Sequence, residues 1–282
     1  MVNEEAVPNK LLIVSERAGS FTEGVRRRLE EALPEHLVVD FDPDLELLEQ
    51  VGPDALIVVA GGDGTVGFVA RRLIGTRHRL GVVPLGTFNN FARSLGLPTE
   101  LDAAIEVIRT GSPRPVTVGR VAGRPFLEAA AVGMFGEAIV FGEAAKELRF
   151  GQLAEHFPRF ATAQRFSYRI TGDLRVRGRA LSLVFANTPS IGAQLAVAKA
   201  TPAEPYLELS IEAGGSRRDL VRRLLSALRL RSAKTESGLR FRSVRVETKP
   251  PVEVYADNQA AGLTPVEVKA VAGGLHVVLP AR

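Results

Sequence analysis

The chain has 282 residues, 45% of them apolar and none of them cysteine, which allows two domains, because single cores seldom grow beyond about 250–300 residues. The missing thiols exclude disulfides, thiolate catalysis and Cys-ligated zinc, and the four histidines (His36, His78, His156, His276) show no metal-site spacing. A net charge of +4 and a pI of about 9.7 rest on arginine and point to an acidic partner: phosphate, anionic lipid or nucleic acid. Residues Met1 to Lys10 hold no apolar leader segment, and no stretch approaches the roughly 18 apolar residues of a membrane span, so a cytoplasmic location is expected.

In chain order, Lys10–Ser15 is a short apolar strand. Ser20-Phe21-Thr22-Glu23 has the capping-box spacing that opens a helix with Val25, Leu29 and Leu33 on one face. Leu37–Asp40 follows as a strand, Asp44 caps a short helix through Leu47, Leu48 and Val51, and a buried strand starts at Ala55. That strand runs into Gly61-Gly62-Asp63-Gly64-Thr65, with a helix over Thr65–Ile74 behind it. A glycine-rich turn between a buried strand and a helix leaves backbone N–H groups aimed at one spot, where anions collect. Asp63 would repel a phosphate there unless a divalent cation or a proton-donating hydroxyl lies between them, so the turn suggests phosphate chemistry.

Leu80–Pro84 is the next buried strand and ends in a second glycine turn, Pro84-Leu85-Gly86-Thr87-Phe88-Asn89-Asn90-Phe91. If the two strands are neighbours, the two turns share one crevice. A helix starts near Thr99 and Asp102 and breaks at Gly111-Ser112-Pro113. This alternation predicts a doubly wound, mostly parallel α/β sheet with ligands outside the carboxyl ends of its strands.

Beyond that break the texture changes. Val116–Val121 and Phe126–Val132 flank the hairpin signal Ala122-Gly123-Arg124-Pro125, and short strands follow at Phe166–Ile170, Leu174–Val176, Ala180–Phe185, Leu207–Ile211, Val244–Thr248, Val252–Ala256 and Pro265–Val268. Helical segments near Glu137–Arg165 and Arg217–Leu230 interrupt them. The expected fold is therefore an α/β N-terminal domain followed by a C-terminal antiparallel β-sandwich.

Gly62-Asp63-Gly64-Thr65-Val66-Gly67 satisfies G-x-G-x-x-G, but the dinucleotide fingerprint follows a first strand and carries an acid about 20 positions on, where this chain has Thr87. A tight turn without any ligand is the simpler alternative for the glycines, and local turn capping is the alternative for Thr87, Asn89 and Asn90. Together, at this spacing, the two turns read as a site for the ribose and phosphates of a nucleotide.

With Gly61-Gly62-Asp63-Gly64-Thr65, the run Pro84-Leu85-Gly86-Thr87-Phe88-Asn89-Asn90-Phe91-Ala92-Arg93-Ser94-Leu95-Gly96, and the tail Ala256-Asp257-Asn258-Gln259 with Thr264-Pro265, the chain resembles the diacylglycerol kinase catalytic-domain family, which includes bacterial diacylglycerol kinases and sphingosine kinases. The resemblance implies ATP as donor, Mg²⁺, a lipid hydroxyl as acceptor in a cleft between domains, and a last strand, Leu275–Leu279, that returns to the N-terminal domain. The domains are then 1–115 with 271–282 for nucleotide and 116–270 for the lipid acceptor. By the same resemblance Gly61, Gly62, Gly64 and Thr65 hold the nucleotide phosphates, Asp63 acts at the phosphate and metal site, and Gly86, Thr87, Asn89 and Asn90 line the nucleotide pocket. Asp257 takes the position of the general base in the family's Asp-Gly-Glu motif; a two-residue hairpin turn is the plainer alternative for Asp257-Asn258.

Several positions depart from the family pattern. Val14-Ser15-Glu16-Arg17 stands for an Asn-Pro, Asn90 and Thr117 for aspartates, and Gln259 for the motif's glutamate. Ala203 to Glu208 replaces a loop that supports a structural Mg²⁺, leaving Glu204 and Glu208 as substitute ligands. The missing carboxylates motivate a second hypothesis, a non-catalytic relative that binds nucleotide or lipid; a third is a kinase of a soluble acceptor such as NAD. The arginine-rich helix from Arg217 to Lys234 is a candidate for contact with an anionic membrane surface, with an ordinary surface helix as the alternative. Nucleic acid is not expected as a partner, because aromatic residues are few and no recognition motif is present. Acceptor identity and oligomeric state are not legible.

Overall fold

A computed structural model describes residues 8–44, 51–133, 165–191, 195–212 and 237–281. The chain divides into two compact units, Met1–Val116 with Gly273–Arg282, and Thr117–Ala272.

The first unit opens with β1 (Lys10–Val14), α1 (Glu23–Ala32), β2 (Leu37–Asp40), β3 (Leu56–Gly61), α2 (Asp63–Leu73), β4 (Arg79–Pro84), α3 (Asn90–Ser94) and α4 (Leu101–Thr110). The strands pair in the order β2-β1-β3-β4, all in parallel. Every residue of β3 is buried, as the uninterrupted apolar run requires of a strand covered on both faces. The N-cap of α1 is Thr22, whose Oγ1 accepts from the Val25 amide at 3.2 Å, two residues beyond the Ser20 start that the capping-box spacing suggested. Helix α2 begins at Asp63 and not at Thr65, because Gly62 already holds the extended backbone of an N-cap and the Val66 amide closes the first helical bond onto the Gly62 carbonyl.

The chain continues with β5 (Ser112–Val121), β6 (Arg124–Phe126), β7 (Ala129–Gly133), β8 (Phe166–Gly172), β9 (Val176–Ala180), β10 (Ser182–Ala186), β11 (Ser190–Ile191), β12 (Leu195–Ala196), β13 (Leu207–Glu212), β14 (Ser237–Phe241), β15 (Ser243–Lys249), β16 (Glu253–Ala256), β17 (Gln259–Leu263) and β18 (Val266–Leu279). In the second unit, β14-β13-β10-β7-β16-β17 form one antiparallel sheet, while β15 pairs with β8 and with the first part of β18, and β9 flanks β8. Apolar side chains of both layers meet in one core, among them Phe126, Phe166, Ile170, Phe185, Leu209, Val246 and Val254. The sandwich expected from the strand-rich half of the sequence is present.

Three expectations change. The Phe126–Val132 run is two strands, since Leu127 and Glu128 leave the ladder between β6 and β7. Pro265–Val268 and Leu275–Leu279 are one 14-residue strand, β18. Its His276 and Val277 pair in parallel with Arg79 and Leu80 of β4, so the last strand does return to the N-terminal unit. The strand placed at Leu174–Val176 runs instead from Val176 to Ala180, paired residue for residue with β8. The helices expected after Asp44 and near Glu137–Arg165 lie outside the described residues apart from their ends, and the one over Arg217–Leu230 lies wholly outside them. Among the described residues no helix is long and apolar enough to cross a membrane.

Gly119 of β5 faces Phe126 of β6, and a Cβ built at Gly119 would fall on the Phe126 ring, which is fully buried. Gly119→Ala is predicted to force that ring off its rotamer and to lower unfolding stability by about 1–3 kcal/mol, read as a lower urea midpoint at unchanged m-value. An unchanged midpoint would show that the sandwich tolerates a displaced Phe126.

Candidate functional site

The site in the first unit follows from one register. Parallel pairing of β3 with β4 sets Gly61 beside Pro84, and the Leu85 amide donates to the Gly61 carbonyl at 2.9 Å, so the two glycine turns leave the sheet side by side. A Cβ on Gly86 would lie 2.6 Å from the Gly62 Cα and 2.7 Å from the Asn89 Oδ1, and one on Gly62 would lie 3.3 Å from the Gly86 Cα. Only glycine fits at position 86, while a side chain at position 62 would need the facing backbone to give by a few tenths of an ångström. Gly61 is fixed by a different neighbour, the Thr65 Cβ, 2.9 Å from where its own would stand.

Gly64 differs from these three: a Cβ there would meet nothing within 4 Å. It is exposed on the first turn of α2, and Gly62 supplies no side-chain cap. The amides of Asp63, Gly64 and Thr65 precede the first intrahelical bond and lie at the positive end of an 11-residue helix. Open space beside Gly64, at the positive end of the helix, suits an anion. Asp63, the first helical residue, is half-buried beside those amides.

The second turn is held from within. Asn89 has the left-handed backbone, φ 53°, and is buried. Its Oδ1 accepts from the Gly86 amide at 3.0 Å and its Nδ2 donates to the Gly86 carbonyl at 2.7 Å. The Asn89 side chain therefore shapes the turn instead of lining a pocket, which is the local capping alternative. Asn90 is buried as the first residue of α3, whereas Thr87 is exposed at the turn's tip, with its Oγ1 3.3 Å from where a Cβ on Gly19 would stand. The loop after β1 closes on the same end of the sheet. Ser20 donates to the Leu85 carbonyl at 2.9 Å, and the buried Ser15 accepts from the Thr65 hydroxyl at 3.2 Å. Ser15, where the family pattern has another residue, thus ties β1 to the first glycine turn.

In the second unit Asp257 and Asn258 form the two-residue turn between β16 and β17, closed by the Ala256–Gln259 pair. Asp257 has φ 51°, unusual for a non-glycine residue. Its carboxylate accepts from the Glu128 amide at 2.9 Å, the Leu127 amide at 3.1 Å and the Ala129 amide at 3.3 Å, and its own amide donates to the Ala129 carbonyl at 2.8 Å. This explains why Leu127 and Glu128 leave the ladder. Three amide donors favour the ionised carboxylate and fix its orientation.

Asn187, which the sequence reading missed, is fully buried beside the same segment. Its amide donates to the Glu128 carbonyl, and its Nδ2 donates to the Leu127 and Thr117 carbonyls at 2.9 and 3.0 Å. A buried asparagine straight after an apolar strand was the available signal. Thr117 is buried and occupied: its amide donates to the Pro202 carbonyl at 2.7 Å and its hydroxyl to the Glu204 carbonyl at 2.6 Å.

Glu204 and Glu208 do not gather as metal ligands. The Glu204 carboxylate lies 3.8 Å from Arg240 and accepts from the Tyr206 hydroxyl, which holds that phenol above its ordinary pKa. Glu208 is buried and accepts from the Lys199 amide at 3.2 Å. Among the described residues no group of three or more His, Cys, Asp or Glu side chains could hold a metal. The Arg217–Lys234 segment lies outside the described residues.

Residues 11–121 match the family model of the diacylglycerol kinase catalytic domain. A diacylglycerol kinase of Bacillus subtilis is 29% identical over 238 residues, 80% of this chain and 78% of that protein. One from Mycobacterium tuberculosis is 28% identical over 242 residues, 81% and 78% of the two chains. The alignment with the uncharacterized protein sll0036 of Synechocystis, 27% identical, spans 80% of this chain and 55% of that one. Among solved structures, a diacylglycerol kinase from Bacillus anthracis superposes with a TM-score of 0.71 at 20% identity, over 96% and 97% of the two chains. An NAD kinase from Archaeoglobus fulgidus in complex with ATP shares the fold at a TM-score of 0.52 and 17% identity, over 96% and 93%. Residues 11–121, with both glycine turns, belong to the diacylglycerol kinase catalytic-domain family.

Proposed function

We propose that this chain is a cytoplasmic, ATP-dependent lipid kinase that moves the γ-phosphoryl group onto a lipid hydroxyl. The observation that carries the reading is the crossing of the two glycine turns at the N-terminus of α2, where Gly62 supplies no side-chain cap and the space beside Gly64 is open. The amides of Asp63, Gly64 and Thr65 receive the nucleotide phosphates, and Gly86 and Thr87 border them while Asn89 keeps their turn in shape.

A single carboxylate at the phosphate site fits Mg²⁺, which takes most of its oxygens from phosphate and water, so Asp63 is the residue that would hold it. When bound, the ion neutralises charge on the phosphoryl oxygens. Asp257 takes the proton from the acceptor hydroxyl. A bond forms between that oxygen and the γ-phosphorus, the bond from phosphorus to the bridging oxygen breaks, and ADP leaves. Amide-bound carboxylates are weak bases, yet phosphoryl transfer depends mainly on position and charge stabilisation, so a weak base in a fixed orientation suffices.

Transfer of labelled γ-phosphate to a panel of diacylglycerol and sphingoid lipids, with NAD as a soluble control, tests the reading. Lipid phosphorylation is expected; ATP binding without transfer would identify the non-catalytic relative instead, and phosphorylation of NAD alone would identify a soluble acceptor. In the same assay Asp257→Asn is predicted to lower turnover by about 10²–10⁴-fold at unchanged ATP affinity, and wild-type turnover in this variant removes Asp257 as base.

A second substitution separates fold from binding. Gly64→Ala meets no protein atom, so its melting temperature should match wild type, while ATP affinity should fall about tenfold because the added methyl stands in the space proposed for a phosphate and lengthens one charge-assisted amide contact. Unchanged affinity, measured by titration calorimetry, would move the phosphates away from α2.

A further inference from the structure

The outer face of the three strands β9, β8 and β15 carries a concentration of cations that the proposed kinase chemistry does not use. An open depression of about 630 Å³ lies there, lined among others by Arg169, Arg177, Arg179, Lys249, Glu247 and Ser167. Alternation along the strands places these side chains together: in β8 Phe166, Tyr168 and Ile170 face the core, while Ser167 and Arg169 are exposed. The ladder sets Arg169 opposite Arg177 on one side and opposite Glu247 on the other, and Ser167 opposite Arg179 and Lys249.

Like charges directly opposite on neighbouring strands have Cβ atoms only about 5 Å apart and oppose pairing. The one acid of the depression does not relieve this, because Glu247 is engaged by Arg245 at 3.2 Å, on its own strand. Among the described residues Arg169, Arg177, Arg179 and Lys249 make no ion pair and no side-chain hydrogen bond. Charges on the edge strand β9 would by themselves be explained as protection against edge-to-edge pairing. Arg169 stands on β8, paired there with Glu247 of β15 on one side and Arg177 of β9 on the other, and no edge at that position needs protecting.

We propose that this sheet face docks on the phosphate headgroups of an anionic phospholipid bilayer. The chemistry selects that occupant. The lining offers four cations with one glutamate, serine, threonine and glycine; its one aromatic, Tyr168, is buried, and it holds no large exposed apolar side chain. A protein partner would require an apolar centre, and nucleic acid would be met by stacking platforms or base-reading amides. What remains is electrostatic adsorption without insertion, in which each basic side chain adds to the attraction and salt removes it. The choice of a membrane also rests on the lipid-kinase reading, since the acceptor would reside in that surface.

The test is sedimentation of the purified full chain with phosphatidylcholine vesicles, with and without phosphatidylglycerol, across a salt series. The wild type is expected to bind only the anionic vesicles and to be released by salt. The triple variant Arg169→Gln, Arg177→Gln, Arg179→Gln is expected to lose on the order of 100-fold in partitioning, about fivefold per arginine, with a melting temperature at or above that of the wild type, since the facing Arg169–Arg177 repulsion is removed. If the triple variant unfolds, the pair Arg169→Gln and Lys249→Gln is read instead, with an expected loss of roughly 25-fold.

Undiminished binding of a folded variant to anionic vesicles overturns the proposal, as does equal binding to neutral vesicles. Binding of a DNA duplex in place of vesicles, lost in the same variant, overturns it in favour of nucleic acid. Phosphorylation of a lipid dissolved in non-ionic detergent keeps the two readings apart. The variant should match wild type in detergent and fall behind only on anionic vesicles, whereas a wild type inactive in detergent that still binds vesicles would count against the kinase alone.

Discussion

The close approach of two backbones, at Gly62 and Gly86, is the contact on which the phosphate site of the first unit depends. Parallel register between β3 and β4 brings the turns level, and the absence of any Cβ lets them touch. Had either been alanine, one main chain would have to move, and the first turn of α2 would move with it. Asn89 holds the second turn in shape from one side through both of its amide atoms, and Ser15 holds Thr65 from the other. The result is a rigid rim around amides that have no helical partner. That is the arrangement in which fixed dipoles bind an anion without reorganising first.

The second unit reaches local rigidity by a different route. Asp257 accepts a left-handed backbone, a conformation that costs energy in a non-glycine residue, and offsets it with three amide bonds to the segment between β6 and β7. Asn187 binds the carbonyls of the same segment from within the core. Leu127 to Ala129 is thus gripped through its donors by a carboxylate and through its acceptors by an amide. The bonds that make Asp257 a good turn residue also fix where its carboxylate points.

Much of this was legible because it is periodic. An uninterrupted apolar run predicts a covered parallel strand, alternation predicts a half-exposed one, and both glycine turns stand where such strands end; β3, β4 and the sandwich followed from that alone. What was not legible depends on partners distant in sequence. The start of α2 was misplaced by two residues because Gly62 caps with its backbone and offers no side chain to read. The break at Leu127 cannot be seen without Asp257, 130 positions away. Glu204 and Glu208 lie close in sequence yet face different partners, since Arg240 and Tyr206 draw one outward while the Lys199 amide holds the other inside.

The missing carboxylates can be understood in the same terms. Thr117 is buried and spends its amide and hydroxyl on Pro202 and Glu204 carbonyls, a position where an ionised aspartate would need compensation for its burial. Gln259 is exposed in the first pair of the β16–β17 hairpin, where a neutral amide changes little in the fold. Replacing an acid with a neutral group has two opposed effects in general: it removes a repulsion that a polyanion would otherwise feel and also a ligand that a cation would otherwise find. On the lipid-kinase reading proposed above, more of the phosphate charge is then met by the amides of α2, whose position the contact of Gly62 with Gly86 fixes.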